Sequence, residues 1–272
     1  MANEEQIEYW NSEAGETWVE VQERIDGIIS ELTERAINAA DPRPGERALD
    51  IGCGCGTSTL ALAERGAMVH GVDISQPMLA RAKERAQGLD NVAFTQADAA
   101  TQPFTPDHQL VFSRFGVMFF SDPVTAFTNI NSALASDGRL YFICWQSPQN
   151  NPWMSVAGAA IQPFLPEPEV PPDPRAPGPF AFADPAYVKD ILSAAGFSDI
   201  EMEGMTAEVN LGTLEEAMSF LRRLGPPARA LKELHGDPQE RALAAAQEAL
   251  AAYLTEDGLR LGSAAWLVSA RK

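Results

Sequence analysis

The chain has little cysteine, little basic charge and no long apolar run, and each shortage excludes a class of protein. Its 3 cysteines, Cys53, Cys55 and Cys144, are too few and of the wrong parity for a disulfide framework, and they fit a reducing compartment. Only 20 Lys and Arg stand against 38 Asp and Glu, a formal charge of −18 that repels phosphate backbones and anionic lipid surfaces. No stretch reaches the roughly 18 apolar residues of a membrane span. The opening MANEEQIEYW lacks the basic and apolar regions of a secretory signal. These features predict a cytoplasmic protein that meets neither nucleic acid nor membrane. Histidine is sparse as well, at 3 residues. His70 falls in an apolar run and His108 in a polar loop, whereas His235 lies among predicted helices and is kept as a catalytic candidate.

What is present is a regular alternation. A helical repeat over residues 16 to 40 (Trp18, Val21, Ile25, Ile28, Ile29, Leu32, Ala36, Ile37) stops at Pro42, Pro44 and Gly45. Strand-like runs then follow at 47–51, 68–73, 91–96, 109–113 and 139–145, separated by helix-like segments at 57–65, 76–87 and 123–135. Such alternation predicts an α/β fold, a doubly wound and mostly parallel sheet with helices on both faces. From Ser147 to Pro179 ten prolines argue against a regular helix or central strand over most of the segment, and Trp153, Phe164 and Phe180 favour an ordered flap. A helix at 184–195 and a strand at 198–209 resume the pattern. Residues 213 to 256 read as two or three helices broken at Gly225, Pro226 and Pro227 and again at Gly236 to Pro238, and SAAWLVSAR forms a last strand.

The most informative run is RALDIGCGCGTSTLALAE, Arg47 to Glu64. An apolar strand ends in Asp50, and Gly52, Gly54 and Gly56 then open directly into a helix whose first amides, with those of Thr57 and Ser58, face a polar ligand. A dinucleotide fingerprint would space its glycines G-x-G-x-x-G, and here Thr57 stands where the third would fall. A carboxylate at Asp50 would repel a pyrophosphate and attract an ammonium. Asp73 closes the next run, VHGVDIS, placed to accept both hydroxyls of a ribose. Asp98, in TQADAA, is placed to accept from an exocyclic amine, with Ala99 offering its amide. Cys53 and Cys55 have no further Cys or His cluster to complete a metal site, so no metal is expected.

Taken in order, DIGCGCGTS, GVDIS, QADA, SRFGVMFF and DGRLYFICW resemble the class I S-adenosylmethionine-dependent methyltransferases, in their small-molecule, UbiE-like group. The likeness covers residues 46 to 146 most closely. It implies a seven-stranded Rossmann-like sheet whose reversed final strand SAAWLVSAR supplies, and S-adenosyl-L-methionine as cofactor. It places Asp50, Gly52, Cys53, Gly54, Gly56 and Thr57 at the methionine end, Asp73 at the ribose, and Ile74, Asp98 and Ala99 around the adenine. Ser113 and Arg114 fall on the route from cofactor to substrate, Arg114 being the second catalytic candidate. The N-terminal segment resembles one that folds over the cofactor in this family, with Trp10 and Trp18 against the sulfonium. Tyr9, Arg114, Phe115, Phe119, Trp145 and Trp153 are the substrate-pocket candidates.

The organisation expected is then a helical segment and lid at 1–44, a cofactor-binding core at 45–146 and a proline-rich flap at 147–183. Core completion at 184–212, a helical insertion at 213–258 and a final strand at 259–272 follow. The family usually joins its last two strands briefly, so the insertion is a candidate cover or homodimer surface. The implied function is methyl transfer to a small-molecule acceptor by in-line displacement, governed by proximity. The acceptor atom and any general base stay open. A protein that binds the cofactor without turnover would share these features, and a nicotinamide-dependent oxidoreductase is disfavoured by the glycine spacing and by Asp50.

Overall fold

The computed structural model describes residues 3–167 and 173–272, without the side chain of Pro226. The chain divides into two units, one of residues 1–146, 174–205 and 265–272, the other of residues 147–173 and 206–264.

In the first unit, α1 (Glu4–Trp10), α2 (Glu13–Ile28) and α3 (Ser30–Ala40) precede β1 (Arg47–Ile51). The helical repeat of 16–40 is therefore two helices, and its first begins earlier. The break falls at Ile29, where ψ turns to 16° and the Ser30 hydroxyl bonds back to the Gly27 carbonyl at 2.9 Å. Gly27 is a poor helix former, and a serine bonding backward competes with the helical ladder. The alternation continues through α4 (Thr57–Glu64), β2 (Met68–Asp73), α5 (Gln76–Arg85), β3 (Val92–Gln96), β4 (His108–Arg114), α6 (Pro123–Ala133) and β5 (Leu134–Trp145). Local signals set the helix starts: the Ser75 side chain accepts from Met78 N at α5, and Asp122 accepts from Thr125 N ahead of Pro123 at α6.

In the second unit, α7 (Pro152–Ile161) lies where prolines argued against a helix. The reason is positional: Pro152 stands in the first turn, where its missing N–H costs nothing, and no further proline follows before Pro163. Here α7 packs on α11 (Asp237–Ala251) and on α10 (Gly225–Lys232), which in turn contacts α9 (Leu214–Arg223). Fully buried Asn151 ties the start of α7 to Ala264 by two 2.9 Å hydrogen bonds, one in each direction. A Thr213–Glu216 capping box opens α9.

With α8 (Pro185–Ala194), β6 (Ser198–Asn210), the two-residue β7 (Leu254–Thr255) and β8 (Gly258–Arg271), the elements are complete. The unit boundary falls within β6 and β8. The sheet order is β3-β2-β1-β4-β5-β8-β6, with β7 paired to β8 off this path. Strands β1 to β5 are parallel, and β8 runs antiparallel to β5 in the register Arg139↔Arg271 to Trp145↔Ala265. The reversed strand is thus the last one. Phe127, Phe142 and Phe182, all fully buried, fill the first unit on one side of the sheet, with centroids 5.5–6.4 Å apart.

Arg139 of β5 braces the far edge of this sheet. Its guanidinium donates to the Ala40 carbonyl at 2.9 Å, to the Asp41 carbonyl at 3.0 Å and to both oxygens of Glu46. Burial works to raise the Glu46 carboxyl, but bonds from Arg139 and Arg43 outweigh it and hold it below the ordinary value. A depressed acid contributes stability above its unfolded value that disappears as pH falls through the folded one. Arg139→Ala should cost about 3–5 kcal/mol, because it strands a buried carboxylate. Denaturant melts of Arg139→Ala, Glu46→Ala and Arg139→Ala/Glu46→Ala at neutral pH check this, and the double variant should lose less than the sum of the singles.

Candidate active site

The carboxyl ends of β1, β2 and β4 meet where the strand order reverses between β1 and β4, the position at which open parallel sheets bind ligands. Beyond β1 the backbone turns through left-handed glycines, Gly52 at φ 64°, Gly54 at 53° and Gly56 at 83°. Space demands them too: a Cβ on Gly52 would meet the Gly116 Cα at 2.9 Å, and one on Gly54 the Met78 Cε at 2.8 Å. Gly56 is the N-cap of α4 and offers no side-chain cap, so no capping side chain occupies the first amides of α4 at their positive dipole end.

Asp50 anchors the site. It is wholly buried, and its Oδ2 accepts from Ser58 Oγ at 2.8 Å and Thr59 Oγ1 at 2.6 Å. Its Oδ1 is buried and has no hydrogen-bond partner, and the same holds for Ser113 Oγ at the end of β4. Burial lifts the Asp50 carboxyl to about 6; the hydroxyls of Thr59 and Ser58 and the Arg114 cation oppose the rise, and the Asp73 charge adds to it. A buried acceptor without a partner suits a ligand that brings a donor, best a cationic one.

Asp73 is half-buried and ties two turns together. Its Oδ2 accepts from Gly54 N at 2.7 Å and its Oδ1 from Ser75 N at 2.8 Å. Burial pushes its carboxyl up, and the amide bonds from Ser75, Gly54 and Ile74 pull against it. Each oxygen keeps a lone pair for a hydroxyl donor. Asp98 Oδ1 accepts from Ala100 N at 2.9 Å and from the side chain of buried Asn3 at 2.8 Å, while Asn3 Oδ1 accepts from Ser121 N at 3.0 Å. Ala99 is buried, and its carbonyl is held by Asn129.

The N-terminal segment is fastened to the same edge. Asn11 donates to the Ile74 carbonyl at 2.9 Å and accepts from Gln76 N at 2.9 Å, and Ser75 Oγ donates to the Trp10 carbonyl at 2.7 Å. Trp10 meets Tyr9, Trp18 and Phe119 edge to face, with centroids 5.1–5.6 Å apart. Arg114 pairs with Asp26 of α2 at 2.8 Å. The next residue, Phe115, sits at φ 57°, in left-handed backbone that a bulky residue adopts at a cost of about 1–3 kcal/mol. Its ring stacks on Trp145 with centroids 3.9 Å apart.

Tyr9, Trp10, Trp18, Asp50, Asp73, Ile74, Asp98, Ser113, Arg114, Phe115, Phe119 and Trp145 all belong to the first unit, whereas Trp153 and exposed His235 belong to the second. Sequence reasoning missed Asp26, Asn3 and Thr59. Asp26 and Gln22, four residues apart on the stripe that carries Val21 and Ile25, gave the one signal: polar side chains on an apolar helix face.

A family profile described as a methyltransferase domain matches residues 48–138. Nocamycin O-methyltransferase of Saccharothrix syringae is 30% identical over 201 residues, which cover 66% of this chain and 72% of its own. Aklanonic acid methyltransferase of Streptomyces sp. (strain C5) is 34% identical over 145 residues, 51% of this chain, and the chain spans 61% of that relative's length, less than two thirds. The YcgJ protein of a Bacillus shares the fold, with a TM-score of 0.59 at 20% identity over 88% of this chain and 97% of its own. A parallel α/β sheet closed by one reversed strand, with a glycine turn after β1, is the class I methyltransferase architecture. The chain belongs to the S-adenosylmethionine-dependent methyltransferases.

Because the folded Asp50 value lies above the ordinary 3.8, its contribution to stability is full below that ordinary value and is lost as pH rises through about 6. Asp50→Asn should therefore flatten the fall in stability between pH 5 and pH 8 by about 1.4 kcal/mol, the worth of one pKa unit. Denaturant midpoints of the cofactor-free protein at both pH values measure it, and parallel curves for the two proteins would refute the cost assigned to this carboxylate.

Proposed function

We propose that this protein methylates an acidic oxygen, a carboxylate, enol or phenol, of a small metabolite. The cofactor half of this reading is carried by the pairing of a wholly buried, unpartnered Asp50 Oδ1 with a glycine turn that leaves no room for side chains. These residues fit the family's cofactor, which brings an ammonium, a ribose and an adenine. In this reading Asp50 takes the ammonium, Asp73 the ribose hydroxyls and Asp98 the adenine amine through the oxygen that Asn3 leaves open.

When bound, S-adenosylmethionine supplies a methyl group on a sulfonium for in-line displacement. The chain's own task is then alignment and exclusion of water. The aromatic set of Tyr9, Trp10, Trp18 and Phe119 offers ring faces and edges near the N-terminal segment, and a ring face attracts a cation by about 0.5–2 kcal/mol. Half-buried Phe115, backed by the buried ring of Trp145, offers a flat apolar surface, which suits a planar acceptor.

The two histidines of the first unit favour an acceptor acidic enough to react without a histidine base. His70 Nε2 bonds to Thr95 Oγ1 at 2.8 Å in mid-sheet, and burial lowers its basicity. His108 opens β4, at the opposite edge from the glycine turn. A carboxylate needs no base, and an enol or phenol gives up its proton far more readily than an alcohol. The names of the two relatives, one an O-methyltransferase and one acting on an acid, agree with this choice.

Methyl-labelled cofactor incubated with carboxylic acids, enols, phenols, amines and thiols should label the oxygen acids. Label on amines or thiols alone, or on none with the cofactor bound, would overturn the reading. Separately, Asp73→Ala should weaken the cofactor by about 1.5–3 kcal/mol, the worth of bonds to a charged acceptor. Calorimetric titration tests this, and an unchanged dissociation constant would remove Asp73 from the site.

A further inference from the structure

Asp26 reaches from α2 to the base of the glycine turn. Its Oδ1 pairs with Arg114 Nη1 at 2.8 Å, and its Oδ2 accepts from Thr57 Oγ1 at 2.6 Å and from Gln22. Arg85 Nη1 lies 3.8 Å from the same oxygen and donates to the Cys55 carbonyl at 2.7 Å and to Thr57 Oγ1 at 2.8 Å. The Asp26 and Arg114 side chains are only 15% and 12% exposed, so each would be left with a poorly hydrated charge if the other were removed.

Asp50 lies on the strand next to β4, in register with Phe112, two residues before Arg114. Asp50 Oδ1 has no partner, while Arg114 Nη1 pairs with Asp26 Oδ1 and donates to Thr33 Oγ1 at 3.5 Å; the Arg114 cation also works against the rise of the Asp50 carboxyl. An arginine fork released beside a buried, half-bonded carboxylate would close on it, since charge-assisted bonds are the strongest available there.

We propose that Asp26 is a positioning residue which, by holding Arg114, keeps that cation off Asp50 and leaves Asp50 Oδ1 open to the ammonium end of the cofactor. The inference rests on the reading of Asp50 given above. It makes α2 part of the cofactor site although α2 need not touch the ligand. A plain staple between α2 and β4 would show the same contacts, so the discriminating quantity is what Arg114 does when Asp26 is gone.

Titration calorimetry with S-adenosylmethionine on wild type, Asp26→Asn, Arg114→Gln and the double variant separates the two. Asp26→Asn should raise the dissociation constant about ten-fold, and Asp26→Asn/Arg114→Gln should return to within about three-fold of wild type, a coupling within the range of contacting pairs. A double variant no tighter than Asp26→Asn, or an Asp26→Asn protein that binds as wild type, overturns the inference. Carbon-13 titration of the Asp50 carboxyl gives a second readout on the cofactor-free protein, where Arg114 and Asp73 are the charges that face it, with Ser58 and Thr59 as donors. Asp26→Asn should lower its midpoint by about one unit and the added Arg114→Gln should raise it again, while an unmoved midpoint overturns the inference. This titration stands whether or not the cofactor binds, so a wild type that ignores S-adenosylmethionine would sink the proposed function separately. Should Asp26→Asn not fold, Asp26→Ser, which keeps a hydroxyl near Thr57, is read by the same two criteria.

Discussion

The site depends on keeping one ionisable carboxyl where no water reaches it. Asp50 ends a strand buried on both faces, and burial alone would favour its neutral form. Two hydroxyls from the first turn of α4 satisfy one of its oxygens, and the nearby Arg114 offsets part of the remaining cost. The second oxygen has nothing. Such a group is destabilising in the isolated fold and becomes favourable when a donor arrives, which is the usual relation between stability and function at a binding site.

That arrangement accounts for much of the surrounding chain. The glycines are needed because the turn after Asp50 runs against Gly116 and Met78, and because its φ values are left-handed. Asp73 is spent partly on the turn itself, accepting from Gly54 and Ser75, so the second strand's acid both shapes the loop and offers lone pairs to a ligand. The N-terminal helices join the same edge through Asn3, Trp10, Asn11 and Asp26, each bonded to a residue of the parallel core. A segment of strongly acidic sequence is thus held by specific polar contacts, with apolar burial by Val21, Ile25 and Leu32 beneath them.

The alternation of strands and helices, the glycine turn and the acids at the strand ends were legible because each rests on local chemistry: period, propensity and conformational freedom. The order DIGCGCGTS, GVDIS, QADA carried the cofactor class. Less was legible where local signals conflict with context. Ten prolines hid α7, because a proline at the first turn and one past the end permit a helix that composition argues against. The break at Ile29 was invisible to an apolar repeat that runs through it unchanged. Arg114 could be singled out as a charge beside a buried strand, but its partner lies 88 residues earlier, a pairing that no sequence period encodes.

Short runs of residues carry the fold class, the sheet edge that holds the glycine turn and the kind of cofactor, since backbone geometry and strand-end acids are local properties. Folding had to bring distant segments together before it could be seen that Asp50 Oδ1 is buried without a partner, that Arg114 pairs with Asp26 and that Asn3 bonds to Asp98. The physical reason is that burial and ion pairing are properties of the space between distant segments. A carboxyl has one affinity for its proton in water and another, near 6 for Asp50, where folding has removed the water and brought chosen neighbours.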